Sequence, residues 1–338
     1  MQFSIGIVGL PNVGKSTLFS ALTKKSVSIA PYPFTTINPN VGIVQVPDPR
    51  LEAIFETIRS EKITAASIEF TDIAGLIEGA HKGEGLGNQF LSNIRNCDAI
   101  LETVRGFKSD ESINVMGEIN PEKEIGIIET ELLSKDRETV ENALSKLDKN
   151  NDKDSVRKTS VLHKIKTETN NGRPIREIYL NAEELKEIQE YQFLTQKPIF
   201  YVLNTDNDIK TSILLPNCLA INIKAEKDFA EKSYDTDFES RLDKIILSCY
   251  NILDLITFYT IAKKKETRAW AVPKNSKAAE AGRKVHSDFE SRFIRAEVIN
   301  WEELVKAGSW PKAKEIGIVK TVGKDYVVQD GDIIEFKI

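Results

Sequence analysis

Between Gly9 and Ser16 the chain reads Gly-Leu-Pro-Asn-Val-Gly-Lys-Ser, which satisfies GxxxxGK[ST] in full. No other stretch constrains the fold as strongly. The motif works only where a buried strand ends and a helix begins, because its glycines make a tight turn and successive backbone N–H groups must converge on an anion. The flanks meet that requirement. Gln2 to Val8 carries Phe3, Ile5, Ile7 and Val8 and reads as a buried strand. Leu18, Phe19 and Leu22 recur at helical spacing over Ser16 to Leu22. Asn12, Val13, Gly14, Lys15, Ser16 and Thr17 are therefore candidate phosphate-binding residues. Lys15 can reach β- and γ-phosphates, and the Ser16 hydroxyl is a candidate Mg²⁺ ligand. Asn12 is also a candidate K⁺ ligand, since a monovalent cation there would add charge beside the phosphates.

The rest of the chain extends the strand–helix alternation. Val41 to Val46, Ser67 to Thr71, Ala99 to Val104, Pro198 to Leu203 and Leu219 to Ile223 are short apolar runs separated by helical or polar segments. That pattern predicts a mostly parallel α/β sheet covered on both faces. Between Pro121 and Gln196 the period changes. Ile128, Leu132, Leu133, Val140, Leu144 and Leu147 fall at helical spacing, Asp148 to Asp154 is a polar turn, and Val161, Leu162 and Ile165 resume the helix. Asn181 with Glu184 reads as a capping box opening a helix through Leu185, Ile188 and Leu194. We read 121–196 as a helical hairpin inserted into a nucleotide-binding domain of residues 1–120 and 197–253. Residues 254–338 read as a small α+β domain. Ile256 to Ile261 and Thr267 to Val272 are strand-like, and Tyr326 to Phe336 is expected to form two strands about an Asp330-Gly331 turn. Asp288 to Arg295 suits helix or strand.

Further pieces lie where a P-loop nucleotide site needs them. Phe70-Thr-Asp72-Ile-Ala-Gly75 supplies DxxG after an apolar strand. Asp72 can hold Mg²⁺ through water, and the Gly75 amide can sense a γ-phosphate. Thr35 and Thr36 offer a hydroxyl to the same metal, with Thr36 the chosen ligand. Asn204, Thr205 and Asn207 follow the strand 199–203 and are candidates to line the base. Leu76, directly after DxxG, cannot hydrogen-bond water, so hydrolysis uses another group or is slow. Gly75, Gly79, Gly83, Gly85 and Gly87 suit a segment that orders on nucleotide binding.

Charge and cysteine usage narrow the partners. Lys plus Arg is 46 against 51 Asp plus Glu, a formal net charge of −5, which argues against binding nucleic acid by bulk charge. Local basic stretches remain. One contains Arg157, Lys158, Lys164, Lys166, Arg173 and Arg176, with Glu168 as its one acid; the other runs from Lys263, Lys264, Lys265 and Arg268 to Lys274, Lys277, Arg283 and Lys284. Both are candidate phosphate-contacting surfaces for RNA. Trp270, Trp301 and Trp310 read as packing residues. Cys97, Cys218 and Cys249 form no CxxC pair, and His81, His163 and His286 are scattered, so neither a zinc site nor a disulfide framework is expected. No apolar run approaches the length of a membrane span, the N-terminus does not read as a signal peptide, and a cytoplasmic location is expected.

The stretches GLPNVGKSTLFSALT, APYPFTTINPNVGIV, DIAGLIEGAHKGEGLGNQFL, TFYT, TRAW, HSDFESRFIRAEV and YVVQDGDIIEF together resemble the YchF family of Obg-like ATPases. The resemblance runs from Ile5 to Phe336. It implies an α/β P-loop NTPase domain, an inserted α-helical coiled-coil hairpin and a C-terminal β-grasp (TGS) domain. It also implies hydrolysis of ATP, with GTP often accepted, and association with ribosomes. Two positions depart from the family pattern. Asn207 stands where NxxE would place a carboxylate; its amide can accept from adenine N6 and donate to N1. Asn114 stands where the family has a histidine implicated in hydrolysis, and asparagine can orient water but is no general base near neutral pH. His81 is an alternative, more simply read as a solvated loop residue. The expectation is a Mg²⁺-dependent ATPase, with K⁺ as a second cation, Asn114 and Gly75 as catalytic candidates, and nucleotide-dependent docking to ribosomes or RNA. It is expected as a monomer or weak oligomer. Two other readings stand beside it: a GTPase of the same architecture, and a nucleotide-dependent binding module with negligible turnover.

Overall fold

The computed structural model describes residues 2–27, 40–73, 88–108, 119–147, 153–206, 215–232, 238–262 and 265–338. It divides into two compact units. One comprises Ser4–Gly42 and Phe70–Leu242; the other comprises Met1–Phe3, Ile43–Glu69 and Asp243–Ile338.

The chain opens with β1 (Ser4–Val8) and α1 (Lys15–Val27), followed by β2 (Val41–Gln45), α2 (Pro49–Ile58), β3 (Lys62–Thr64) and β4 (Ser67–Asp72). Then come α3 (Asn88–Arg95), β5 (Ala99–Arg105), α4 (Pro121–Leu147), α5 (Lys153–Asn170) and α6 (Ala182–Ile188). The first sheet is completed by β6 (Ile199–Asn204) and β7 (Cys218–Ile221), before α7 (Ile223–Lys232). Its strand order is β2-β4-β1-β5-β6-β7. β1, β5, β6 and β7 pair in parallel, with Ile5 opposite Ala99, Ile100 opposite Ile199 and Tyr201 opposite Cys218. All seven residues of β5 are buried, as expected of a central strand covered on both faces.

The helical hairpin is present. α4 serves two cores. Its Ile128 and Leu132 pack with Val8, Leu10, Val13 and Ile94, while its Val140, Ala143 and Leu144 pack with Leu162, Ile165, Ile188 and Phe193. The buried Asp136 ties the two regions together, accepting from Leu194 N at 2.8 Å, Thr195 N at 2.7 Å and Thr195 Oγ1 at 2.7 Å. α6 opens on the expected capping box: Asn181 Oδ1 accepts from Glu184 N, and Glu184 Oε2 accepts from Asn181 N. The expected helix through Leu194 is corrected. α6 stops at Ile188, a 3₁₀ turn covers Gln189–Tyr191, and Gln192 takes a left-handed φ of 46°. Leu194 cannot continue the helix because its N–H is taken by Asp136. Most of the polar turn 148–154 lies outside the described residues.

The second unit adds α8 (Leu242–Ile252), β8 (Leu255–Ala262), β9 (Glu266–Pro273), α9 (Ala278–Val285), α10 (Ser287–Ser291), β10 (Arg295–Asn300), α11 (Trp301–Ala307), α12 (Trp310–Glu315), β11 (Lys320–Val322) and β12 (Asp332–Lys337). Its sheet order is β11-β10-β12-β8-β9-β3. β3 comes from the early stretch 43–69 and pairs with β9 through Ile63 opposite Thr267. Asp48 caps α2 and also accepts from the Tyr259 hydroxyl at 2.5 Å, fastening that stretch to β8. The ambiguous segment 288–295 resolves into the short α10 followed by the start of β10. The expected two-stranded hairpin over Tyr326 to Phe336 is half corrected. β12 forms, but Tyr326–Gln329 is no strand. The segment's backbone pairs elsewhere: Tyr326 O accepts from Ala278 N at 2.8 Å and Val328 N donates to Ser276 O at 3.0 Å, a single bridge of Val327 with Lys277, while Asp332 Oδ2 accepts from the Tyr326 hydroxyl at 2.9 Å and Gln329 N at 2.8 Å.

Candidate functional site

The Gly-rich turn leaves β1 at Val8 and enters α1 at Lys15. Its backbone visits conformations that few residues adopt: φ is 151° at Gly9, 63° at Asn12 and 106° at Gly14. At Gly9 a Cβ would lie 2.3 Å from the Thr103 carbonyl oxygen. At Gly14 it would lie 2.7 Å from Asn204 Nδ2. Both positions need glycine for φ and for space. Leu18 N donates to Gly14 O at 2.9 Å, the first helical bond after the turn. The first turn of α1 carries no acidic residue, so its N-terminus is left to an anionic ligand.

Lys15 is 7% exposed and donates from Nζ to Leu10 O at 2.8 Å. Burial pushes its pKa down, and the charge of Asp72 offsets part of that shift. A phosphate would supply the counter-charge that the carbonyl oxygen cannot. Asp72 ends β4, with its N–H on Asn40 O at 2.8 Å. Its Oδ1 is buried without a hydrogen-bond partner among the described residues. An unpartnered carboxylate oxygen whose charge is felt by a buried lysine fits a cation, or water bound to one.

Asn204 at the end of β6 holds the turn from the other side. Its Nδ2 donates to Val13 O at 2.9 Å, and its Oδ1 accepts from Ile223 N at 3.2 Å. The Asn204 side chain is thus spent on fixing the backbone, and it leaves base contacts to its neighbours. Thr205 is 3% exposed and donates N–H to Ile221 O at 2.8 Å. Asp206 accepts from Lys108 N at 2.8 Å, while Asn222 Nδ2 donates to Asp206 O at 2.9 Å. Asn222 also caps α7 through Ala225 N at 3.0 Å. Asn222 and Ile223 were missed in the sequence. Their signal was a strand end followed at once by a helix cap.

Of the expected site residues, the structure brings together Asn12 to Thr17 with Asn204 and Thr205, and places Lys15 within the field of Asp72. Thr35, Thr36, Gly75, Leu76, Gly79, His81, Gly83, Gly85, Gly87, Asn114 and Asn207 lie outside the described residues, as do Lys263 and Lys264. Among the described residues no group of three or more His, Cys, Asp or Glu side chains could hold a metal, and none of the three cysteines is in a disulfide.

The hairpin's basic stretch is largely neutralised from within. Lys158 pairs with Glu190 at 2.5 Å, Lys164 with Glu184 at 3.0 Å and Lys166 with Glu141 at 3.5 Å. Arg173 pairs with Glu168 at 3.4 Å and Arg176 with Glu129 at 2.5 Å. Arg157 alone of the six has no ion pair among the described residues. In the second stretch Lys277 pairs with Asp325 at 2.8 Å, Arg283 pairs with Glu290 at 3.4 Å, and Arg268 lies over the Trp270 ring at 4.0 Å. Trp270 also donates to Thr260 Oγ1 at 2.9 Å, in keeping with a packing role.

Comparison with known proteins follows the same division. Residues 4–142 match the family described as 50S ribosome-binding GTPase. Residues 255–338 match the C-terminal domain of YchF GTPases, described as a protein of unknown function. The chain is 43% identical to the "Ribosome-binding ATPase YchF" of Pasteurella multocida (strain Pm70), covering 100% of this chain and 99% of that protein. It is 43% identical to the protein of the same name in Bacillus subtilis (strain 168), with the same coverage. Among solved structures, the Schizosaccharomyces pombe YchF GTPase superposes with a TM-score of 0.88 at 32% identity, covering 99% of this chain and 98% of that one.

Proposed function

Because the chain belongs to the YchF family, we propose that it binds and hydrolyses ATP and that its nucleotide state governs docking to the ribosome. The observation that carries the nucleotide reading is the clasp of Asn204 on Val13 and Ile223, which holds a P-loop ready for phosphate. Asn12 to Thr17 take the phosphates through backbone N–H groups, and Lys15 exchanges the Leu10 carbonyl for a phosphate oxygen. Ser16, Thr36 and Asp72, the last through water, would hold Mg²⁺; the unpartnered Asp72 Oδ1 supports that assignment. The metal would neutralise charge on the β- and γ-phosphates. Asn12 is the candidate for a K⁺ site. Thr205 and Asn207 line the base, and Asn207 favours adenine because its amide both accepts and donates. Gly75 senses the γ-phosphate, and Asn114 orients the attacking water.

The ribosome is the partner that the relatives' names support, and a cytoplasmic location follows from it; no described helix is long and apolar enough to cross a membrane. By the sequence the nucleotide-binding domain takes 1–120 and 197–253, the hairpin 121–196 and the TGS-type domain 254–338, whereas in the compact units Ile43–Glu69 and 243–253 group with the C-terminal domain. A second reading, a GTPase of the same architecture, is favoured by the match over 4–142 to a GTPase family. Calorimetric titration and turnover with ATP and with GTP, each in K⁺ and in Na⁺, separate the two. ATP is expected to bind at least as tightly as GTP, and Lys15→Ala is expected to weaken nucleotide binding severely. A tenfold preference for GTP would reject the adenine reading, and unchanged affinity in Lys15→Ala would reject the P-loop.

A further inference from the structure

Directly beneath the P-loop lies a cluster of charges that phosphate binding does not use. Glu102 sits in the middle of β5, opposite Val8 of β1 and Tyr201 of β6. Its side chain is in a residue only 1% exposed, and Oε1 has no hydrogen-bond partner among the described residues. Glu124 and Glu129 of α4 and Arg176 of the 3₁₀ turn at Ile175–Glu177 surround it electrostatically. Arg176 is committed to Glu129 at 2.5 Å and to the Thr195 carbonyl at 3.3 Å. Glu124 accepts from Arg105 N at 3.0 Å and feels the Arg105 charge. Arg105 itself is 2% exposed and lies over the Phe107 ring at 4.4 Å. Tyr201 lies in the same region, with the Glu177 charge also acting on it, and burial followed by the Glu102 charge pushes the Tyr201 pKa up to about 12.

Among the described residues, the carboxylates Glu102, Glu124, Glu129 and Glu177 lie in one region with the guanidiniums of Arg105 and Arg176. Glu102 is the carboxylate least served by donors. Burial raises its pKa well above the ordinary value, Glu129 and Glu124 add to the rise, and Arg176 opposes it. The cluster also touches the nucleotide site through the backbone. The residue after Glu102 is Thr103, whose carbonyl packs against Gly9, and the Glu102 rung of the β1–β5 ladder is the last before the P-loop.

We propose that Glu102 couples nucleotide binding to proton uptake: a polyphosphate on the P-loop draws a proton from solvent onto the Glu102 carboxyl, and ionised Glu102 weakens the polyphosphate in return. The reason is electrostatic. A bare carboxylate in a wall of low polarity is poorly screened from anionic phosphates above it. The two equilibria are therefore linked, with equal effect in each direction. Affinity for ATP is highest with Glu102 protonated and falls as pH rises through its ionisation. Glu102 touches neither substrate nor reacting atoms and acts as a positioning residue through the field at the P-loop.

The inference rests on the nucleotide reading above, and calorimetry separates the two. The heat of ATP binding tests that reading; the protons exchanged per ATP bound, read from buffers of different ionisation enthalpy, test Glu102. We expect wild type to take up more protons than Glu102→Gln in a pH interval above the ordinary carboxylate range. Over the same interval wild-type affinity should fall relative to the variant. Titration of ATP and its metal complex is common to both proteins and cancels in the difference. Equal proton numbers in wild type and variant at every pH would overturn the proposal. Should Glu102→Gln fail to fold, carboxyl-labelled glutamate in wild type gives the same answer by NMR. One carboxyl should titrate far above the rest and move higher when ATP is added. A set in which ATP shifts no glutamate would overturn it equally.

Discussion

Asn204 shows how one side chain can hold a P-loop in place through backbone groups. It fills both hydrogen-bonding roles of its amide on backbone groups that are 191 and 19 residues away in sequence. Asn204→Ala would leave Val13 O and Ile223 N unpaired in a buried setting, at a cost of roughly 1–3 kcal/mol each. Asn204→Asp would restore the acceptor for Ile223 but set a carboxylate against the Val13 carbonyl. Both variants should unfold at lower denaturant than wild type, and Asp should lose more ATP affinity than Ala, because it also puts negative charge beside the phosphates. Equal ATP affinity in the two variants would show that the clasp acts through stability alone. The P-loop residues proposed to bind phosphate were legible in the sequence because the motif encodes backbone geometry: only glycine fits at positions 9 and 14. Asn222 and Ile223 were not, since their role depends on where β7 ends relative to β6. Glu102 carried a signal that passed unread, an acid inside a seven-residue run where every other interior position is uncharged.

At the scale of elements, periodicity gave the helices and strands their places wherever packing followed the local pattern, as in β5 and along α4. It failed where distant groups take the backbone's bonds. Asp136 stops a helix from reaching Leu194, and Ser276 and Ala278 take the backbone bonds of Val328 and Tyr326 that a hairpin with β12 would need. It could not reveal that the stretch 43–69 joins the C-terminal unit, because Ile63 finds its strand partner at Thr267. The hairpin carries a lesson about charge. A run of cations in sequence becomes a run of ion pairs once Glu141, Glu184 and Glu190 come alongside. Exposed pairs of this kind contribute about 0–1 kcal/mol each to stability, and they offer little net field to a polyanion. If the hairpin meets ribosomal RNA, Arg157→Ala should therefore flatten the salt dependence of co-sedimentation by about one phosphate contact. Lys164→Ala, which frees Glu184, should weaken pelleting without flattening that dependence. Identical salt profiles for Arg157→Ala and wild type would move the contact off this helix.

At the scale of the whole molecule, the question is how a nucleotide and a ribosome can each sense the other. Nothing in a P-loop alone requires it; a ligand shifts a conformational equilibrium only by its difference in affinity for the two states. That difference needs a segment whose conformation nucleotide and ribosome both bias, so that each ligand changes the other's affinity. The consequence is quantitative. Whatever factor ATP contributes to ribosome affinity, ribosomes must contribute to ATP affinity. Pelleting at graded protein concentration with a non-hydrolysable ATP analogue and with ADP gives one ratio. Nucleotide titration with and without saturating ribosomes gives the other. The two ratios should agree, and on the order of 5–150-fold is the range such couplings usually span. Ratios of one in both experiments would leave a nucleotide-binding protein whose ribosome contact is constitutive. The turnover of ATP would then have to serve something other than release.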